Sequence, residues 1–453
     1  MNLLKEYRES PVYLKTIILV FISIPLWWYL GLEQFIFPAA AVVILPIYLY
    51  RSRKELKVPL ASIPLLVFLI IYAVSGFFVA ERIRYFVYAF QFIQYISVTI
   101  IFIVIIKKIN KKKHFDLLVW TLFIILFIIT LLGALAFLIR LDLRFDTPLS
   151  RIMPEIFRDS HFLRRTLFKS IIEPDSLIFN IVYTRLTSFF QYANPYAQAI
   201  IVLIPLTFYL NSTVSGYKRY KNILRALLFF GLFLMGFNLV FTTSRVAMAS
   251  LVAGFLWWLV FWVKWPARSK RNLSIFIAAV VLLVVIAVFL IFYTDIIYAR
   301  KDSAQDRMLI YTKTFESWQD RPLFGWGTSR NIKDVFPEVI VWKDFPPLGS
   351  HSTYLDILYR QGAFGLAAYI WFNAIIIFYI SRSFRLLKGS MDRSYFNLMG
   401  FASWGFVATF IASITHMLDV DSVAMHISWI NISIIAAVAL LIRKGSQQDI
   451  IRS

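Results

Sequence analysis

Long apolar runs recur along the whole of this 453-residue chain, and they constrain its fold more than any motif does. The hydrocarbon core of a bilayer is ~30 Å thick, and an α-helix needs about 20 apolar residues to cross it. Runs of that kind fall at 13–30, 35–50, 59–79, 86–106, 115–139, 193–211, 226–241, 246–263, 274–293, 353–380, 396–415 and 422–442. Lipid offers no water to backbone N–H and C=O groups, so single apolar segments of this length cross as helices. The expectation is an all-α polytopic membrane protein of about twelve transmembrane helices, with residues 1–453 forming one integral membrane domain. Composition agrees: 60% of residues are hydrophobic and 16% charged, where a soluble domain carries about 25% charged residues. A soluble enzyme, a disordered tail and a disulfide-stapled secreted module are excluded. The chain has no cysteine, so a thiolate metal site and a catalytic thiol are excluded too.

A net charge of +22 invites a nucleic-acid reading. In a membrane protein, however, lysine and arginine first report sidedness, because they collect in short cytoplasmic loops. Basic clusters occupy every other connection: Lys5, Arg8 and Lys15; Arg51, Arg53, Lys54 and Lys57; Lys107 to Lys113; Lys218 to Arg225; Lys264 to Arg271; Arg382 to Arg393; and Arg443, Lys444 and Arg452. Both termini are therefore expected in the cytoplasm, with two long loops, 140–192 and 294–351, outside. The charge is then explained by topology and by membrane lipid as partner. No independent soluble domain carries a basic patch, so nucleic acid is not an expected partner.

The outer segments hold the candidate chemistry. Loop 140–192 mixes both charge signs with Leu, Ile and Phe, which predicts one or two amphipathic helices on the membrane surface. It closes on Arg185, then Asn194-Pro195, read as an N-cap and first helical position. The run at 246–263 is preceded by Thr243-Ser244-Arg245 and carries Ala247, Ala249, Ser250, Ala253 and Gly254. Small residues at this spacing mark a close helix contact that draws Arg245 into the bundle. An ionisable residue there is a functional candidate. In loop 294–351, Ser303-Ala-Gln-Asp306 predicts a capped helix with Arg307, Tyr311, Thr314 and Trp318 on one face. A turn at Gly325-Trp326-Gly327 follows. His351 then stands at an outward helix start, where the dipole favours a neutral imidazole. His416, Asp419, Asp421 and His426 could ligate a divalent ion, but their spacing fits no compact motif and no metal is expected.

At these residues the chain resembles the O-antigen ligase and Wzy-type polysaccharide polymerase superfamily, bacterial multi-pass membrane glycosyltransferases. The resemblance rests on Arg185-Leu-Thr-Ser-Phe with Asn194-Pro195, on Thr243-Ser244-Arg245, on Asp306-Arg307 leading to Pro322-Leu-Phe-Gly325-Trp-Gly327, and on His351-Ser-Thr-Tyr-Leu with Gly362-Ala-Phe-Gly365. It spans about 185 to 370 in order. Many ligases carry Asn where this chain has Ser352. The resemblance implies a fold similar to the GT-C-like membrane glycosyltransferases. It implies metal-independent, inverting transfer from an undecaprenyl-diphosphate-linked glycan donor to a glycan, lipid or protein acceptor, with no cofactor. The setting it implies is the outer face of the bacterial cytoplasmic (inner) membrane. His351 matches the catalytic histidine, and Arg245 and Arg307 the arginines that engage the diphosphate; Arg185, Asn194 and Tyr311 are further substrate-binding candidates.

Two functions suit these residues. A transferase needs cations for a diphosphate leaving group and a base for an acceptor hydroxyl. A carrier or flippase for an anionic lipid-linked sugar would use the same arginines for binding and His351 as a proton-linked switch. Against the carrier stand the absence of an internal repeat, the asymmetric long loops and spans expected to lack acids.

Overall fold

The computed structural model describes residues 3–52, 58–79, 84–141, 143–153, 166–178, 181–214, 220–263, 301–328, 350–387, 393–415 and 422–452. Helices α1 (Leu3–Glu9), α2 (Val12–Ile22), α3 (Ile24–Leu30), α4 (Ile36–Arg51), α5 (Ile63–Ser75), α6 (Arg84–Lys108) and α7 (Lys112–Leu138) come first. Strand β1 (Arg144–Asp146), helix α8 (Pro148–Ile152) and strands β2 (Phe168–Ser170), β3 (Ile172–Ile178) and β4 (Ile181–Leu186) follow. The remainder is α9 (Ala193–Thr213), α10 (Lys221–Phe241), α11 (Arg245–Val263), α12 (Lys301–Gln319), α13 (Thr353–Leu387), α14 (Arg393–Ala412) and α15 (Val423–Arg452).

Among the described residues, nine helices are long and apolar enough to cross a membrane, or ten if the bent pair α2–α3 counts as one span. The chain is therefore a polytopic helical membrane protein. Each expected apolar run falls on a helix except 274–293, which lies outside the described residues. The first run is not straight: α2 and α3 meet at 52°. Pro25 has no N–H for the preceding turn, and the Ser23 hydroxyl bonds back to the Val20 carbonyl at 2.9 Å.

Loop 140–192 departs from expectation. Among its described residues the only helix of five residues or more is the short α8. Its strands form two antiparallel pairs, β1 with β2 across a long connection and β3 with β4 as a hairpin. Two local features explain the strands. Ile181-Val182-Tyr183-Thr184 is β-branched and aromatic, residues that favour a pleated surface, and Pro174 bars a continuous helix through β3. A buried ion pair between Lys169 of β2 and Glu33, in the turn ahead of α4, ties this layer to the bundle. Gln191 also donates to Glu33, at 3.4 Å.

Helix α9 is the centre of the bundle, buried along almost its whole length against α7, α10, α14 and α15. In lipid, helices associate through close packing rather than through escape from water, and small residues permit it. Helix α11 packs on α14 in this way. A Cβ on Gly254 would meet the Trp404 carbonyl at 2.6 Å, and the Trp404 indole donates to the Leu251 carbonyl at 2.8 Å. Trp258 faces Gly400. The two helices therefore run antiparallel, and the Arg245 end of α11 lies at the Ser413 end of α14. The start of α13 docks at that same end: Thr353 N–H donates to the Ser413 carbonyl at 3.0 Å and the Tyr354 hydroxyl to that of Phe410 at 3.2 Å.

Candidate active site

The site is built from helix starts gathered at one end of the bundle. Helix α12 presents Arg307, Tyr311, Thr314 and Trp318 on its more buried side, while Met308, Leu309, Thr312, Phe315 and Glu316 are exposed. This is the face expected from the i, i+4, i+7 spacing. The helix already includes Lys301, so Ser303 lies within it rather than capping it. The buried side packs on α13, whose N-terminal flank carries His351. The imidazole is half-buried, and its pKa is lowered to about 4, first by desolvation and then by the Arg307 guanidinium. Tyr311 also feels Arg307, although burial dominates and raises its pKa. Its hydroxyl is buried and has no hydrogen-bond partner among the described residues. The structure thus brings His351, Arg307 and Tyr311 together. The shift runs in the direction expected for His351, but its causes are burial and Arg307 rather than the helix dipole.

The backbone around His351 is specified closely. Ser352 caps α13: its carbonyl accepts Asp356 N–H at 2.9 Å and its hydroxyl accepts Leu355 N–H at 3.4 Å. Asn is as good an N-cap as Ser, so Ser352 fills the structural place that Asn would fill. His351, just outside the cap, has φ +55°, a left-handed conformation that costs a non-glycine residue of order 1 kcal/mol or more.

Arg185, Asn194 and Arg245 form a second group at the same end. Asn194 is not a cap: α9 already includes Ala193, with Tyr192 as the capping residue. The Asn194 side-chain oxygen instead accepts from the Arg185 guanidinium at 3.1 Å, and Arg185 Nε donates to the Thr242 carbonyl at 3.1 Å. Arg185 therefore joins β4, the start of α9 and the C-terminal end of α10. The hairpin from α10 to α11 is only Thr242-Thr243-Ser244, with Thr243 at φ +55°. Arg245 follows it, half-buried, as the small-residue face predicts.

Sequence reasoning missed what joins α12 to α13. Within α13, Gly362 has φ +68° and ψ −168°, which breaks the helix. The turn after α12 fills the gap. Trp326 and Gly327 N–H groups donate to the Tyr359 and Arg360 carbonyls at 2.9 and 2.8 Å; Ala363 and Phe364 N–H groups donate to the Pro322 and Leu323 carbonyls at 2.8 and 3.3 Å. Four helical backbone groups exchange their usual partners for those of the turn. A Cβ on Gly325 would strike Arg360, and one on Gly362 would strike Leu323. The two glycine motifs were visible as separate signals; their mutual docking was not.

The spans are not free of acids, contrary to expectation. Asp116 in α7 pairs with Lys112 at 2.8 Å and with the Tyr209 hydroxyl; Asp356 in α13 pairs with Arg360 at 2.9 Å. Both acids sit within one or two turns of a helix start and are held by partners. Of the metal candidates, His416, Asp419 and Asp421 lie outside the described residues, and the buried His426 ring stacks on Phe37 at 3.7 Å.

Comparison with curated proteins returns no match. A family model, Wzy_C, described as O-antigen ligase, matches residues 230–370, a stretch that contains Arg245, Arg307, Tyr311, His351 and both glycine motifs, with Arg185 and Asn194 ahead of it. Over that segment the chain is similar to the O-antigen ligase family, in line with the resemblance carried by its motifs.

Proposed function

We propose that this membrane protein is a glycosyltransferase of the O-antigen ligase or polysaccharide polymerase type. It moves a glycan from an undecaprenyl-diphosphate carrier to an acceptor hydroxyl with inversion and without a metal. The proximity of a neutral His351 to Arg307, at the bundle end where Arg245 begins α11, is the observation that carries this reading. His351 takes the proton of the acceptor hydroxyl as its oxygen attacks the anomeric carbon. Arg245 and Arg307 stabilise the negative charge that develops on the departing diphosphate; their forked guanidinium donors match phosphate oxygens. Tyr311, with its unpartnered buried hydroxyl, supplies a further contact to the donor, and Arg185 with Asn194 fixes the start of α9 beside it. In this reading both termini are cytoplasmic, and segments 140–192 and 294–351 lie outside, where the flipped donor is exposed. The architecture is then GT-C-like, within one integral membrane domain.

The test is transfer per folded protein in detergent with EDTA present. Losing one preorganised donor costs ~2.7–4 kcal/mol, or about 10²–10³ in rate. Arg245→Ala, Arg307→Ala and Arg307→Lys are expected to lose that much, because lysine keeps the charge and not the fork. His351→Gln keeps a polar shape but cannot accept the proton and is expected to lose roughly 10²–10⁴. Near-normal turnover in His351→Gln removes the base from the mechanism. Chelator-sensitive wild-type transfer removes the metal-free clamp.

A further inference from the structure

Asp356 and Arg360 are charged residues inside an apolar helix, and the mechanism above does not use them. They are 7% and 5% exposed, and burying two charges is costly unless they are paired and hydrogen-bonded. Stability alone is a weak reason for such a pair, since hydrophobic residues of similar volume serve as well. Its surroundings give another reason. The Asp356 carboxylate accepts a hydrogen bond from the backbone N–H of Ser350, the residue before His351. The Ser350 hydroxyl in turn donates to the Ser352 carbonyl at 2.9 Å. Arg360 holds Asp356 at 2.9 Å and donates to the Gln91 side chain of α6 at 2.9 Å. The Arg360 carbonyl is also one of the two that receive the Gly325–Gly327 turn at the end of α12.

One residue pair thus touches the histidine segment and adjoins the point where the arginine-bearing helix is docked. His351 has a left-handed backbone, which persists only where the surroundings over-determine it. We propose that Asp356 and Arg360 are positioning residues: the carboxylate, oriented by the guanidinium, holds the backbone at Ser350, one residue before His351, so that the imidazole faces the acceptor hydroxyl at a fixed distance from Arg307. The proposal rests on His351 acting as the base. The pair does not touch substrate and moves no proton; it sets where His351 stands.

Two double variants and one single variant test this. Asp356→Leu with Arg360→Met removes both charges and the Ser350 acceptor but keeps volume, and Tyr72 still donates to Gln91. This variant is expected to fold with unchanged thermal stability and donor KM, while kcat falls by about 10²-fold, the scale of a 1 Å misplacement. Asp356→Asn with Arg360→Gln restores a neutral acceptor for Ser350 N–H and is expected to recover kcat to within a few-fold. Wild-type kcat in the Leu/Met variant overturns the proposal. So does a loss that tracks folded abundance or donor KM, because the pair would then be structural only, and so does failure of the Asn/Gln variant to recover. His351→Ala, assayed alongside, separates the two layers. If it transfers at near-wild-type rate, the base assignment fails and the positioning role with it. If it is inactive while the Leu/Met variant is normal, only the positioning role fails.

Discussion

At the scale of single residues, the donor-free site holds His351 as a weak base. Desolvation and Arg307 together lower its pKa to about 4, whereas a general base works best near the operating pH. In the proposed mechanism a bound diphosphate eases this mismatch, because its charge offsets Arg307, the smaller of the two causes, and moves the imidazole part of the way toward its ordinary value. The predicted signature is a split between two pH profiles. The acid limb of kcat/KM for the donor reports the donor-free enzyme and is expected near pH 4; the limb of kcat reports the loaded enzyme and is expected at higher pH. Coincident limbs would mean that a bound donor does not offset Arg307 at the base. Stability has a definite sign as well: the contribution is full above about 6.5 and is lost as pH falls through about 4, because the unfolded chain binds a proton that the folded site refuses. His351 and Arg307 could be found from the sequence because a helix start and a helical face are local patterns. Asp356 and Arg360 had the visible i, i+4 spacing of an ion pair, but their burial depends on α5 and α6, far away in sequence.

At the scale of elements, the docking of the Pro322–Gly327 turn into the α13 break makes glycine obligatory at two places. Gly325 and Gly362 have φ of +65° and +68°, and a methyl at either would meet backbone atoms. Gly325→Ala and Gly362→Ala are each expected to destabilise the protein by roughly 1–3 kcal/mol and to lower transfer by shifting α12 against His351. Gly236→Ala is the control. It lies inside α10 with open space around its missing Cβ and is expected to be neutral or to stabilise by up to ~1 kcal/mol. Equal melting temperatures for all three variants would dismiss the docking. The apolar runs gave the helices away one at a time, since each is long enough to declare itself. The break did not declare itself, because α13 reads as one continuous apolar helix whose missing bonds are supplied from more than thirty residues earlier. Strands β1–β4 were also hidden: their period-2 alternation is short and mixed with charges, and pairing partners such as Arg144 and Ser170 are far apart in sequence.

At the scale of the whole molecule, every argument about chemistry depends on which leaflet faces the site. The chain has no cysteine, so single cysteines report sidedness without background. Met308→Cys, at a position 67% exposed, and Glu316→Cys are expected to react with an impermeant maleimide when only the outer face is open. Tyr220→Cys, at a position 52% exposed, and Lys444→Cys are expected to react only after permeabilisation. The reverse pattern would put His351 on the side where no flipped donor is found. The swapped hydrogen bonds of α13 also bear on how the protein is made. A backbone group left unbonded in lipid costs several kcal/mol, and α13 cannot satisfy its own at Gly362. The Pro322–Gly327 segment precedes α13 in the chain and leaves the ribosome first. It has to be on its own side of the membrane, ready to be gripped, when α13 arrives. Biosynthesis in chain order meets that requirement, whereas a chain cut and permuted between Gly327 and Ser350 would present α13 to the bilayer with its gap unfilled.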